Sequence, residues 1–368
     1  VSGIICNGTL VNLSLTGATT ATGLSYQWQF STTANGTYTN IGNSQTTSQL
    51  GVTPTQSGFY RCVVSCGSNS ATSSTVEVQV APLVSGTYTI NSSQPTSGSN
   101  FASFADAFNF IRCGINGPVV FNVVSGSGPY NEQLTVPSIF GTNANNTITI
   151  NGNGATLSFN SSTSADRWIL RFDGTDWVRI NNLNITSSAS TTTQYAWGIV
   201  LQNDANNHIY DGISVVLNNA VSSTTSLAGV VISGSTTSLT TSSANSCDSI
   251  TIINSSFTGG SVGVAVNGGT GGDANLLQRI IIRNNTFIDN YTYGVYGSYL
   301  MGASIEDNEI QRGTRPTSSL TTYYGVYLGT GSKGNMITRN RIHSPNPSGS
   351  ASTSTIYGIF LTGADGTS

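Results

Sequence analysis

The chain's 15 Asp and Glu residues and two histidines, His208 and His343, limit the acid–base chemistry it can perform. Cleaving a glycosidic bond needs two or three carboxylates converging on one cleft. Elimination from an acidic sugar needs a calcium-holding acidic cluster and a base. Three groups are dense enough to test. In Glu306-Asp307-Asn308-Glu309, strand alternation sends Glu306 and Asp307 to opposite faces. Asp307 also aligns with Asn254 and Asn284 in the repeat below, so it reads as a turn residue. Asp204 and Asp211 flank His208 beside Asn206-Asn207, which reads as a solvated excursion. Asp166-Arg167, Asp173 and Asp176 surround Trp168 and Trp177, in a hairpin excursion or a binding cleft. None supplies a complete acid–base set, and the balance leans against an enzyme.

Metal and phosphate chemistry find less support. Cys6, Cys62, Cys66, Cys113 and Cys247 show no metal-ligand spacing. Gly268-Gly-Thr-Gly-Gly-Asp273 has neither the lysine of a phosphate loop nor the acidic repeat of a calcium roll. No metal or cofactor is expected. The net charge of -3 gives no reason to expect nucleic acid. No apolar run nears the roughly 20 residues that span a bilayer, so membrane insertion is not expected. Only 7% of residues are charged, against roughly 25% in ordinary domains. The Ser, Thr, Asn and Gly that replace them suit an extracellular β-protein, and three cysteines within the first 66 residues would there include an oxidised pair.

The elements that must position these residues announce themselves by repetition. Trp197-Gly-Ile-Val-Leu201 recurs as Ala228-Gly-Val-Val-Ile232, Val262-Gly-Val-Ala-Val266, Tyr293-Gly-Val-Tyr-Gly297, Tyr324-Gly-Val-Tyr-Leu328 and Tyr357-Gly-Ile-Phe-Leu361. The glycines are 31 to 34 residues apart, a period that marks a stacked solenoid. A partner phrase aligns Ile180, Val216, Ile252, Ile282, Ile305 and Ile337 in one apolar column, and Ile185, Val221, Phe257, Phe287, Ile310 and Ile342 in a second. Between them runs a polar column of Asn219, Ser255, Asn285, Asn308 and Asn340, expected to hydrogen-bond from coil to coil.

Residues 1–81 read as a small β-sandwich, from alternating runs at Leu10–Leu15, Ser25–Phe30, Ser48–Val52, Gly58–Val64 and Thr75–Val80. Tyr26-Gln-Trp28-Gln followed by Tyr60-Arg-Cys62 resembles the immunoglobulin-like fold, with Leu13 and Leu15 where the first core cysteine would sit. Against that pattern the favoured disulfide is Cys6 with Cys66, leaving Cys62 buried beside Trp28. Cys6 with Cys62 is the alternative. Residues 82–100 form a linker with a first strand at Thr87–Ile90. Phe101, Phe104, Phe108 and Ile111 then line one face of a helix, with Ser99 or Asn100 as its cap and Gly114 as its stop. Such a helix would cover the open end of a solenoid.

The run from Phe101 to Gly154 resembles the opening of right-handed parallel β-helix proteins, including pectinesterases and pectate lyases. That implies an all-β fold: a sandwich, a capping helix and a parallel β-helix over residues 101–368, truncated at its C-terminal end. The start at Val1 and the strand-like phrase before Ser368 are read as a mature or excised fragment of a longer secreted protein, with neighbouring domains as partners. The domain order resembles large surface adhesins of Bacteroidota exported by the type IX route. The resemblance implies a cell-surface segment binding polysaccharide or a solid surface; a polysaccharide-degrading lyase or hydrolase and a structural stalk are the alternatives. Asp248-Ser249-Ile250 resembles a short O-glycosylation acceptor motif of those bacteria. In the glycine phrase, alternation points Val200, Val231, Ala265, Tyr296, Tyr327 and Phe360 outward. Tyr296, Tyr327 and Phe360 form an expected aromatic stripe, which either stabilises the sheet or serves as a platform for sugar rings.

Overall fold

A computed structural model describes residues 3–18, 22–241 and 245–363. It divides into two compact units, Val1–Val84 with Arg112–Gly114, and Ser85–Ile111 with Ile115–Ser368.

In the first unit each of the five alternating runs contains a strand. One sheet runs Ile4–Ile5, Val76–Val80, Gly58–Cys66, Leu24–Ser31, Thr39–Asn40, and Val11–Ser14 pairs with Gln49–Val52 in another. Alternation sends Val11, Leu13, Tyr26, Trp28, Tyr60, Cys62 and Val78 into one core. Trp28 lies directly opposite Cys62, and burial raises the pKa of that thiol. The disulfide corrects the expected pairing. Cys6 is bonded to Cys113, while Cys66 is exposed and free at the end of its strand. The expectation looked only among nearby cysteines; Cys113 belongs to the short segment that clusters with this unit 107 residues further on.

The second unit is a solenoid. Each coil passes through three sheets, which hold ten, eight and eight strands among the described residues. From Ile115–Val123 onward successive strands of the first sheet are parallel, as are those of the other two. The first sheet's inner column is Ile150, Ile180, Tyr210, Ile252, Ile282, Ile305 and Ile337. The second sheet's is Leu157, Ile185, Val215, Phe257, Phe287, Ile310 and Ile342. Tyr210 and Val215 therefore replace the expected Val216 and Val221. The true second copy begins at His208, whose polar ring hid it from an apolar pattern.

The polar corner between these sheets holds Ser255, Asn285, Asn308 and Asn340. Asn285 Nδ2 donates to Asn308 Oδ1 at 3.1 Å, and Asn308 Nδ2 to Asn340 Oδ1 at 2.9 Å. Asn219 lies outside this column and bonds Asp289 instead. The residue before each corner is left-handed, at Asn254, Asn284, Asp307 and Arg339, so Asp307 is indeed a turn residue.

The phrase glycines face inward against the second sheet. A Cβ on Gly263 would sit 2.3 Å from the Phe287 ring, and one on Gly294 2.8 Å from Ile310. The helix is Phe104–Ile111, shorter than expected because Phe101 belongs to a strand. Ser103, rather than Ser99 or Asn100, accepts from the Asp106 amide, and Glu132 accepts from the amides of Phe104 and Ala105. Phe104, Ala107, Phe108 and Ile111 are its buried face.

Candidate binding surface

Each third-sheet strand begins with an outward residue, turns its glycine inward and points a second residue outward three positions later. The glycine is skipped in the strand pairing, so the side chains on both sides of the skip emerge on one face. That face carries two columns. One contains Trp168, Trp197, Ala228, Val262, Tyr293, Tyr324 and Tyr357; the other contains Arg171, Val200, Val231, Ala265, Tyr296, Tyr327 and Phe360.

In the last three coils the columns become two aromatic ladders. Tyr293 stacks on Tyr324 with ring centroids 5.1 Å apart, and Tyr324 on Tyr357 at 4.9 Å. Tyr296 stacks on Tyr327 at 5.1 Å, and Tyr327 on Phe360 at 5.4 Å. Contacts between the ladders are edge-to-face, as between Tyr324 and Tyr327 at 5.3 Å. The structure thus brings Tyr296, Tyr327 and Phe360 together and adds Tyr293, Tyr324 and Tyr357. Strict alternation assigned those three to the interior. Their signal was the tyrosine directly before three successive phrase glycines.

Stacking along the axis occupies the ring faces with one another. What the surface offers outward is a ribbed array of ring edges and phenol hydroxyls. Burial, followed by the neighbouring tyrosines, pushes the Tyr293 phenol up to about 12, and burial also raises Tyr296 and Tyr324. These phenols remain protonated hydrogen-bond donors at neutral pH.

The middle coils of the face are roofed. Leu239, from the excursion after Leu227–Ile232, packs on Ala228, Val231, Val262 and Ala265. Val200, Val231 and Ala265 are fully buried although they point outward. Tyr296 is also buried, its hydroxyl donating to the Thr240 carbonyl at 3.3 Å. The expected open stripe therefore begins only at the edge of this roof. Beyond the roof's other side, the Arg171 guanidinium lies 3.9 Å over the Trp168 ring.

The acidic groups are dispersed. Glu306 and Asp307 both pair with Arg339 at 2.7 Å. Glu309 accepts from Arg341 at 2.8 Å and His343 at 2.9 Å. Hydrogen bonds to Ser304, Arg339 and His343 hold Glu306, Asp307 and Glu309 respectively below the ordinary carboxylate range, which suits ion pairs and not a proton donor. Asp173 pairs with Arg171 at 3.2 Å, and Asp211 accepts from Asn254. His208 is buried in the coil. Its Nε2–H donates to the Thr175 carbonyl at 2.7 Å, so Nδ1 accepts from the Tyr210 hydroxyl at 2.8 Å. Burial pushes His208 down to about 4 and the Cys247 thiol up to about 12. Asp176 is raised, first by burial and further by Asp204, and accepts from the Asn206 amide.

Ser249 occupies a left-handed corner, and its Oγ accepts from Arg279 Nε at 2.6 Å. The glycine-rich loop contains a single turn at Asp273–Asn275, with Asp273 paired to Lys333. Among the described residues no three His, Cys, Asp or Glu side chains gather as metal ligands, and no helix is long and apolar enough to cross a membrane.

Residues 168–367 match the family model described as right handed beta helix region. Residues 2–82 match a model described as a domain of unknown function (DUF8696). No curated protein and no solved structure matches the chain.

Proposed function

The chain belongs to the right-handed β-helix family, and on that premise we propose that it is a non-catalytic segment of a cell-surface adhesin or surface filament that binds polysaccharide or a solid surface. The observation that carries this is the double ladder from Tyr293 to Phe360, repeated at steps of 4.9 to 5.4 Å. A periodic row of ring edges and phenols suits a polymer or crystal face lying along the solenoid better than one sugar ring captured face-on. The charge-poor surface and the ion-paired acids agree with a binding role.

In this reading the first unit is an immunoglobulin-like spacer, supported by Trp28 packed with Cys62 and Tyr60. The helix Phe104–Ile111 covers the apolar opening of the first coil, supported by its edge-on contacts to Tyr130 and Phe172. The cell surface, export by the type IX route in Bacteroidota and a glycan on Ser249 belong to the same proposal. A glycan there requires Arg279 to release the Ser249 hydroxyl.

Retention of the chain on insoluble polysaccharides, and its retardation in gels containing soluble ones, is the test. Retention lost in Tyr324→Ser with Tyr327→Ser supports the reading; retention no greater than that of an unrelated β-helix removes it. One observation favours a degrading enzyme, namely the proximity of Asp176 and Asp204. Release of reducing ends from the same polymers, abolished by Asp176→Asn, would establish that second reading in place of the first.

A further inference from the structure

The loops that leave the third sheet in three successive coils enclose a cavity of about 410 Å³. Asn203 and Asp204 line it from one coil, Asn245 and Ser246 from the next, and Thr270 and Asn275 from the third. No apolar or aromatic side chain is among them, so the cavity recognises through hydrogen bonds.

Most of its donors are committed. Asn203 Nδ2 donates to Asp173, the Ser246 hydroxyl to Asp204 Oδ1, and Asn275 Nδ2 to the Thr270 carbonyl at 2.8 Å. Asn245 differs. It is 6% exposed, its Oδ1 accepts from the Cys247 thiol at 3.0 Å, and its Nδ2 has no partner among the described residues. A buried N–H pair without an acceptor is costly, and such orphans call for an explanation.

The missing partner must bring lone pairs to Asn245. A metal cation brings none. An anion would meet Asp204, with Asp176 close behind it, and no Lys or Arg lines the wall to compensate. The basic residues nearby are occupied: Arg171 by Asp173, Arg279 by Asp248 and Lys333 by Asp273. A hydroxyl can accept from an amide while donating to a carboxylate, and adjacent hydroxyls can satisfy both walls.

We propose that this cavity is a subsite for a neutral sugar residue, with Asn245 Nδ2 donating to one hydroxyl and Asp204 accepting from its neighbour. It rests on the saccharide-binding reading above for the class of polymer, but it does not use the aromatic face.

Calorimetric titration of the whole chain tests it, with tetrasaccharides of β-1,4-glucan, xylan and mannan set against tetragalacturonate, in EDTA and then in calcium. At least one neutral tetrasaccharide should bind equally in both buffers, with tetragalacturonate excluded. Asn245→Ala and Asp204→Asn should each weaken it about tenfold, the effect of one lost hydrogen bond of ordinary strength. Asp204 is exposed, so its variant reports on binding even if Asn245→Ala unfolds the loop. Tyr327→Ser should leave this affinity unchanged. Tetrasaccharide binding without polymer retention would then sink only the aromatic-face reading. The subsite is overturned if no neutral tetrasaccharide binds, if Asp204→Asn changes nothing, if the uronate is preferred or if calcium is required.

Discussion

Inside the solenoid and on the outer face of its third sheet, the same backbone stacks side chains coil upon coil, but the two sets of columns follow different rules. An inner column keeps one kind of residue, as in Ile252, Ile282, Ile305 and Ile337, or Asn285, Asn308 and Asn340. An outer column passes from tryptophan through alanine and valine to tyrosine. An inner side chain meets two other sheets as well as its neighbours above and below, so volume and hydrogen bonding are prescribed on every side. An outer one meets its neighbours and whatever loop crosses it. Its identity follows the cover: small beneath Leu239, aromatic where the roof ends. Recognition has room to reside on the outer face because packing asks less of it.

The glycine phrase gives the sharpest way to break this contrast. Gly263→Ala would drive a methyl to 2.3 Å from Phe287 and 2.7 Å from the Gly294 carbonyl. It should cost 3 kcal/mol or more, at the upper end of overpacking changes, at roughly that scale. In Gly358→Ala the added methyl meets nothing within 4 Å, and the change should stay within about 0.5 kcal/mol. Urea unfolding of both variants decides; equal costs would mean that inward packing is not why the phrase carries glycine.

A buried base inside the coil predicts the next effect. His208 is held neutral in the folded chain at a pKa of about 4, against an ordinary 6.5. Between these values the unfolded chain binds the proton and the folded one does not, so stability falls as pH drops from 6.5 towards 4 and is level above 6.5. The shift corresponds to roughly 3 kcal/mol across the window. Urea midpoints taken through this range should lose that slope in His208→Gln; a wild-type profile already flat would show that the ring is solvated. On the outer face, Leu239→Ser should cost about 2 kcal/mol by uncovering Ala228, Val231, Val262 and Ala265. Protease cleavage confined to the excursion should accompany it. A stability change below experimental error would show that the roof is not packed down.

The inner rules were readable in the chain because each is local or strictly periodic. The glycines, the asparagine corner and the left-handed turn at Asp307 all follow from a spacing near 31 residues. The one coil that slipped did so where His208 and Tyr210 stand at positions that elsewhere hold isoleucine. The outer rules were not readable in the same way. Leu239 sits in a Ser/Thr-rich excursion whose landing place depends on contacts with later coils, and Cys113 finds Cys6 over a comparable distance in sequence. Tyr293, Tyr324 and Tyr357 were in plain view, yet a strict two-residue period turned them inward. Only the skipped glycine returns them to the surface. The polar cavity at Asn245 combines loops from three coils and has no signature in any one of them.

The smallest change in stability should come from the ladders themselves, and it best separates packing from recognition. Tyr327 touches Tyr296 and Phe360 in its own column and Tyr293 and Tyr324 across the groove, yet it is only partly buried. Each stacked or edge contact is worth about 0.5 to 1.5 kcal/mol in full burial, and partial exposure discounts the set. Tyr327→Ser should therefore cost about 1 kcal/mol in urea, much less than Gly263→Ala. Polymer retention should fall roughly tenfold, because the variant interrupts the row at its centre. Tyr296→Phe removes only a hydroxyl already held by Thr240 beneath the roof and should alter neither reading. If Tyr327→Ser instead unfolds the late coils while retention survives in the remaining folded chain, the ladder is a stabilising stack like the inner columns. The outer face would then lose its claim to be the exception.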